Sequence, residues 1–359
     1  MIVASTTTFD LDTLVGPAKV FMNVDQAALQ SGAARLLPPS RVIVEILETV
    51  EPNPQVVEVC ADLCRDGYVL ALDDFVDDPK WEPLVELAKF LKVDFRALDV
   101  RARGFVAGRY LHRGFHLLAE KVETQADVSN ARDLGYTFFQ GYFFCKPEMV
   151  AAREIPANKL TCMLLLKAVA ARTISYREIE SLLKRDPALV YRLLRYLNSP
   201  LLGMRTEVHN VRQALTLLGE RECRRWISIV ALLSMAGDKP PELVRTAILR
   251  GYFCEEVSMV LDAAPTHPDF FLLGLLSVVD ALLDQPMPEV LAHLAVSEEV
   301  RVALCGGSNR LRDVYEVLLD YERGDWEALS SAAARVGDIE ECLPVCYLKA
   351  AQCARQVAG

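Results

Sequence analysis

The sequence predicts an α/β half followed by an all-α half. Three observations carry that expectation. Between residues 18 and 148, short apolar runs without alternation recur, each with a polar group at or near its end, and helix-length segments separate most of them. Runs of this kind are strands buried on both faces, as in parallel α/β sheets. Past Ile155-Pro156 strand signals stop and helical patterns take over. Finally, 359 residues that are 52% hydrophobic are enough for two domains with sizeable cores. The expected division is 1–150 and 155–359.

Within the first half, Thr6 to Val15 reads as one short helix ending near Gly16-Pro17, and Val20–Val24 as the first strand. Leu36 to Arg41 is a loop into a second strand, Arg41 to Glu48. Pro54–Arg65 has apolar Val56, Val57, Val59, Cys60 and Leu63 at helical spacing and a stop at Gly67. The strand Tyr68-Val-Leu-Ala-Leu-Asp73-Asp74-Phe75 follows, then a helix over Trp81–Phe90, and a strand Phe90-Leu-Lys92-Val-Asp94. Leu117-Leu-Ala-Glu120-Lys-Val-Glu123 is the next strand, Ala126–Leu134 a helix, and Phe138-Phe-Gln140-Gly-Tyr-Phe-Phe the last strand, with Lys146-Pro147 closing the unit. Strand alternating with helix means a parallel sheet, most simply a barrel.

The stretch ending in Asp73-Asp74 is where chemistry is expected. Ligand sites of parallel α/β folds lie at the carboxyl ends of the strands. Two adjacent acids there repel by roughly 4 kcal/mol at about 4 Å and an effective dielectric near 20, so a cation is favoured between them. Taken alone, the pair also reads as loop aspartates, one of them capping the next helix. The neighbouring strands add Asn23, Glu45, Lys92, Glu120, Glu123 and Gln140.

In that order, strand-Asn, Glu-x-x-Glu, Asp-Asp-Phe, Lys-x-Asp, Ala-Glu-x-Val-Glu and Gln-Gly-Tyr resemble the EAL domain, a barrel family that hydrolyses cyclic di-GMP, over most of residues 18–148. The resemblance implies that Asn23, Glu45 and Asp73 bind divalent metal and that Asp74 serves a second ion. It implies that Lys92 helps activate water and that Glu120, Glu123 and Gln140 complete the site. Hard oxygen ligands of this kind hold Mg²⁺ or Mn²⁺. Two departures bear on activity. The family's first-strand Glu-x-Leu-x-Arg has no counterpart before Glu45, the first glutamate, so the barrel is expected to be incomplete and to lack its first strand. The family's Gly/Ser-rich loop after Asp-Asp-Phe is replaced by Val76-Asp-Asp-Pro-Lys-Trp81. An incomplete barrel would leave Val20–Val24 with unpaired backbone groups. Residues 1–15, the helical half or a second copy of the chain would then cover that edge, which puts a homo-oligomer among the expected partners.

In the second half, Leu160–Ala171 is one helix, Ser175-x-x-Glu178 a capping box, and Asp186-Pro187 an N-cap with an N1 proline before Ala188–Asn198. Val208–Leu218 ends at Gly219 and Glu220–Met235 follows. Pro240–Leu261, Pro268–Leu283, Met287–Ala295, Ser297–Cys305, Leu311–Tyr321, Asp325–Val336 and Ile339–Val357 complete the array. The text from Leu182 to Pro200, with Val211-x-x-Ala214-x-x-Leu217-Leu-Gly219, resembles the HDOD domain, a helical relative of metal phosphohydrolases that has lost their catalytic residues. No His-Asp dipeptide occurs here, and His209, His267 and His293 are isolated.

Composition narrows the partners. A net charge of −10 argues against a nucleic-acid surface. Ten cysteines occur without a Cys-x-x-Cys; Cys60/Cys64 and Cys342/Cys346, four apart on helical faces, read as buried free thiols. No signal peptide and no membrane span are expected, and a reducing cytoplasm fits. The functional expectation is a signalling protein without catalysis that acts through protein partners and needs no cofactor, with Mg²⁺ or Mn²⁺ only if the residual site is occupied. The alternatives are a cyclic di-GMP phosphodiesterase and a receptor that binds cyclic di-GMP without cutting it.

Overall fold

A computed structural model describes residues 15–36, 38–141, 143, 157–171, 173–197, 208, 210–237, 239–261, 268–294 and 296–358. The expected helix over Thr6–Val15, the Asn198-Ser-Pro200 text, the Lys146-Pro147 closure, His209 and His267 lie outside the described residues. The chain divides into two compact units, Met1–Lys146 and Pro147–Gly359.

Among its described residues the first unit is a six-stranded parallel sheet in sequential order, followed in the chain by the helical second unit. The strands are β1 (Val20–Val24), β2 (Val42–Ile46), β3 (Val69–Leu72), β4 (Phe90–Asp94), β5 (His116–Glu120) and β6 (Phe138–Phe139). Helices α1 (Gln26–Gln30), α2 (Pro54–Arg65), α3 (Glu82–Val85), α4 (Val100–Tyr110) and α5 (Gln125–Asp133) alternate with them. A sheet whose strands follow chain order, each parallel to the last through a helical crossover, is the architecture of an incomplete TIM-like barrel. β2 is buried at every position, which is what a run without alternation requires. Val44, Ile46, Leu70, Leu72, Leu91, Val93, Leu117 and Ala119 join Val56, Cys60 and Leu63 of α2 and Val106 and Tyr110 of α4 in one core.

Local signals place these elements. Asn53 caps α2 through Val56 N (3.0 Å), with Pro54 at the first turn where its missing N–H is harmless. α4 carries Gly104 and Gly108, poor helix formers that hide it in the sequence; Asp99 starts it by accepting from Ala102 N (2.8 Å). The helix expected over Trp81–Phe90 shrinks to Glu82–Val85, because Lys89 is drawn into the sheet, its N–H donating to Leu70 O (3.0 Å). The strand expected to run to Glu123 stops at Glu120, since Lys121 has φ +52°, outside the extended region.

The second unit, among its described residues, is all helical: α6 (Ala157–Ala170), α7 (Tyr176–Leu183), α8 (Pro187–Leu197), α9 (Val211–Met235), α10 (Pro241–Val260), α11 (Pro268–Leu276), α12 (Val279–Leu283), α13 (Met287–His293), α14 (Glu298–Leu304), α15 (Arg310–Arg323), α16 (Trp326–Val336) and α17 (Leu343–Ala358). Gly219 (φ +70°) breaks α9 in two, as its position in the sequence suggested. The helix expected over Pro268–Leu283 divides at Ser277-Val278, where Ser277 Oγ donates to Gly274 O (2.7 Å). α10 and α11 approach so closely that a Cβ on Gly274 would lie 2.1 Å from Arg250 O. Arg250 is buried and pairs with Glu322 of α15 at 2.6 Å. Cys60 and Cys346 are buried free thiols and Cys64 is half-buried, but Cys342 is exposed: it ends a 3₁₀ turn, Glu340–Cys342, and does not share the α17 face of Cys346. No helix of the described residues is long and apolar enough to cross a membrane.

Candidate functional site

The polar residues converge at the carboxyl ends of the strands in two layers. The inner layer is built around Lys92 of β4, which is 2% exposed. Its Nζ donates to Glu45 of β2, to Asp73 Oδ1 just past β3 (3.1 Å) and lies 2.7 Å from Glu120 Oε1 of β5. Asn23 stands opposite Glu45 in the β1–β2 register, and with its amide turned to donate, its nitrogen lies 2.9 and 3.3 Å from the two Glu45 oxygens. Beneath them lie aromatic rings: Phe21 packs edge-on against Phe90 (5.4 Å), and the Lys92 ammonium stands 6.0 Å from the Phe21 ring.

Burial governs the protonation of the acids. It pushes Glu45 up to about 7 and Glu120 up to about 8, in each case against the pull of Lys92. Burial also acts to raise Asp73, but the Lys92 charge and hydrogen bonds from Glu120, Lys92 and Glu45 outweigh it and hold this carboxyl below its ordinary value. Lys92 is raised: burial would lower it, and Glu120, Glu45 and Asp73 more than reverse that. Near neutral pH the cluster therefore centres on an ionised Asp73 and a charged Lys92, with a proton retained on Glu120 and Glu45 divided between its protonated and ionised forms.

The outer layer is Asp74, Asp94 and Lys121. Lys121 Nζ lies 3.2 and 3.1 Å from the two Asp74 oxygens and 2.6 Å from Asp94 Oδ2. Asp94 Oδ1 accepts from the backbone of Arg96 (2.6 Å) and Ala97 (3.1 Å). Burial acts to raise Asp94, and the Lys121 and backbone hydrogen bonds prevail and lower it. Asp74 and Lys121 both have positive φ, +40° and +52°, conformations that non-glycine residues rarely hold.

Of the residues singled out in the sequence, Asn23, Glu45, Asp73, Lys92 and Glu120 are thus brought together, and Asp74 lies in the outer layer. Glu123 is paired with Arg96 at 3.1 Å on the surface. Gln140 follows β6 and is held there by its backbone, its N–H donating to Ala119 O (2.8 Å) and its O accepting from Val122 N (3.1 Å). Asp94 and Lys121 were not singled out for the site. Asp94 stood inside the Lys-x-Asp text, and the signal for Lys121 was a cation two residues from one acid and adjacent to another. The segment after Phe75 is anchored to α4: Asp77 accepts from Tyr110 Oη (2.6 Å) and pairs with Arg109 (2.9 Å), while Asp78 caps the turn at Lys80 N (2.9 Å).

Glu45, Asp73 and Glu120 each offer an oxygen within 4.8 Å of the others. Three hard oxygen donors suit Mg²⁺ or Mn²⁺, and three carboxylates against one ammonium leave negative charge for a divalent ion once the glutamates are ionised.

A parallel, chain-ordered sheet with acids gathered at its carboxyl ends, followed in the chain by a helical unit, defines a two-module protein: an incomplete α/β barrel and an all-helical domain. Sequence comparison gives the family. The EAL domain model matches residues 17–147 and the HDOD domain model residues 155–302. The cyclic di-GMP phosphodiesterase CdgJ of Vibrio cholerae is 32% identical over 331 residues, 91% of this chain and 76% of that protein. The uncharacterized protein YuxH of Bacillus subtilis is 28% identical over 358 residues, 98% of this chain and 87% of that protein. This chain belongs to the EAL–HDOD family. Among solved structures, the EAL enzyme Bd1971 in its cAMP-bound form is 19% identical with a TM-score of 0.31, the match covering 36% of this chain and 41% of that one. The YkuI protein of Bacillus subtilis, with an EAL domain and in complex with cyclic di-GMP and calcium, is 18% identical with a TM-score of 0.31, covering 61% and 58%. This chain therefore spans less than two thirds of each of those structures.

Proposed function

We propose that this chain is a signal-transduction protein that acts through protein partners and does not hydrolyse cyclic di-GMP. The observation that carries this reading is that the acids at the strand ends already have counter-ions within the chain. Lys92 engages Glu45, Asp73 and Glu120, and Lys121 engages Asp74 and Asp94. A two-ion hydrolytic site needs those oxygens for metal. The anchored Asp77-Asp78 segment, standing where the EAL family has a Gly/Ser-rich loop, supports the same reading.

A second reading, cyclic di-GMP phosphodiesterase, is favoured by the convergence of Asn23, Glu45, Asp73, Lys92 and Glu120 and by the name of the 32% identical relative. Under it Glu45, Asp73 and Glu120, with Asn23, would hold Mg²⁺ or Mn²⁺, which would supply positive charge at the phosphodiester. Lys92 would hold the inner carboxylates in register.

The full chain incubated with cyclic di-GMP and either Mn²⁺ or Mg²⁺ is expected to give no linear dinucleotide by chromatography. Metal-dependent cleavage that is abolished in Asp73→Asn would overturn the first reading in favour of the second. Calorimetric titration with the dinucleotide separates a silent receptor, which binds, from a chain that does neither.

A further inference from the structure

We propose that Lys121 is a built-in cation that occupies the outer acid pair, Asp74 and Asp94, and closes it to a divalent ion, so that displacing its ammonium group opens a metal position that the chain itself keeps filled. The proposal builds on the reading above, in which the chain's own lysines neutralise the site.

The geometry is that of an ion in a carboxylate nest. The ammonium lies within 3.2 Å of both Asp74 oxygens and 2.6 Å from Asp94 Oδ2, so three oxygens on two strand ends face one positive centre. Asp94 is fixed for this, because its other oxygen takes the N–H groups of Arg96 and Ala97. The acids are also drained of competing cations nearby: Arg96 pairs with Glu123, and Lys92 serves the inner acids.

The backbone shows that this placement is imposed. Lys121 follows β5 directly and has φ +52°, and Asp74, directly after Asp73, has φ +40°. A lysine has no local hydrogen bond of its own to favour that region, unlike asparagine or glycine. The turn ends β5 and leaves the side chain reaching from β5 past the end of β4 to the end of β3, where it meets Asp74. The oxygens it faces are hard donors of the kind that Mg²⁺ and Mn²⁺ take, so the ammonium stands in for such an ion with a single charge and no open coordination position. A tethered ammonium also acts at high effective concentration, which a free ion must outcompete.

The test is the number of Mn²⁺ ions bound per full-length chain at pH 8, read by electron paramagnetic resonance titration and by native mass spectrometry, with no dinucleotide present. Lys121→Gly removes the cation and relieves the positive φ, and Lys121→Asn removes it with a residue that tolerates the same φ. Both are expected to bind one more Mn²⁺ than the wild type. Lys121→Arg, which keeps a cation, is expected to match the wild type. Adding Asp74→Asn to Lys121→Gly is expected to abolish the gain. Equal counts in wild type and both cation-free variants would overturn the proposal. So would a gain in Lys121→Arg, or a gain that survives Asp74→Asn. Hydrolysis by the wild type would sink the non-catalytic reading and leave this difference in count intact. Equal counts without hydrolysis would sink only the role of Lys121.

Discussion

Replacing Lys92 by methionine is expected to destabilise the first unit by about 3–5 kcal/mol above pH 8, the usual result of removing one partner from a buried ionic cluster. The magnitude follows from the site. Lys92 is 2% exposed, and its ammonium is the counter-ion of three carboxyl groups, Glu45, Asp73 and Glu120. Methionine fills most of the volume, so the loss is electrostatic and leaves little cavity. The loss must also depend on pH. With Glu45 pushed to about 7 and Glu120 to about 8 in the presence of Lys92, both are raised further without it, and at pH 6 both keep their protons. Only Asp73 then lacks a counter-ion, and the penalty is smaller than at pH 9. A divalent ion should replace the missing charge: Mn²⁺ at 100 times its dissociation constant returns about 2.7 kcal/mol. Trp81, buried in the first unit, reports unfolding there once Trp226→Phe and Trp326→Phe have silenced the other tryptophans. Urea unfolding at pH 6 and pH 9, with and without Mn²⁺, gives the numbers. A loss below about 1 kcal/mol at pH 9, or the same loss at both pH values, would refute the account of Lys92 as the counter-ion of the cluster.

Glu120 is raised from 4.5 to about 8, so the folded chain keeps a proton that the unfolded chain releases. Its contribution is in full force below about pH 4.5 and is lost as the pH climbs toward 8. Glu120→Gln should therefore flatten the fall in stability between pH 5 and pH 8, and an unchanged slope in urea midpoints would contradict this. In the second unit, Gly274→Ala should cost about 3 kcal/mol or more, because its Cβ would lie 2.1 Å from Arg250 O, whereas Gly237→Ala, with open space around it, should cost little. Trp226 fluorescence during unfolding compares the two, and equal midpoints would mean that α10 and α11 can separate freely.

Much of the first unit was legible because its strands obey one simple rule. β2, β3 and β5 are short apolar runs shielded on both faces, and their polar ends announce themselves by interrupting that pattern. Glu45 and Lys92 stood out because each interrupts an apolar strand and falls in the order of the EAL text. What stayed hidden depended on backbone conformation or on helices with weak signals. α4 was obscured by Gly104 and Gly108, and the break at Ser277-Val278 by the largely apolar text around it, which carries no Pro at the break. Lys121 could not be placed, since nothing in a sequence of alternating strands and helices tells a reader that a lysine adopts φ +52° and turns across two strand ends. The exposure of Cys342 escaped for a related reason: a spacing of four implies a shared face only if the helix runs through both residues.

The two lysines change what the surviving acids signify. Buried carboxylates that await a metal would penalise the metal-free fold, and a chain without catalysis would have no reason to tolerate them. Here the penalty is met internally. Lys92 offsets the inner acids, the upward shifts of Glu45 and Glu120 lessen the repulsion among them, and Lys121 with two backbone N–H groups satisfies the outer pair. Once that network exists, the acids and lysines hold one another: Asp73 is one of three partners of the buried Lys92, and Asp94 is shared by Lys121 and two backbone donors. The same side chains that suit metal chemistry thus also pair with one another without it. Their presence at the strand ends is therefore not by itself a sign of activity, which has to be judged from whether a metal can displace an ammonium group that the chain already supplies.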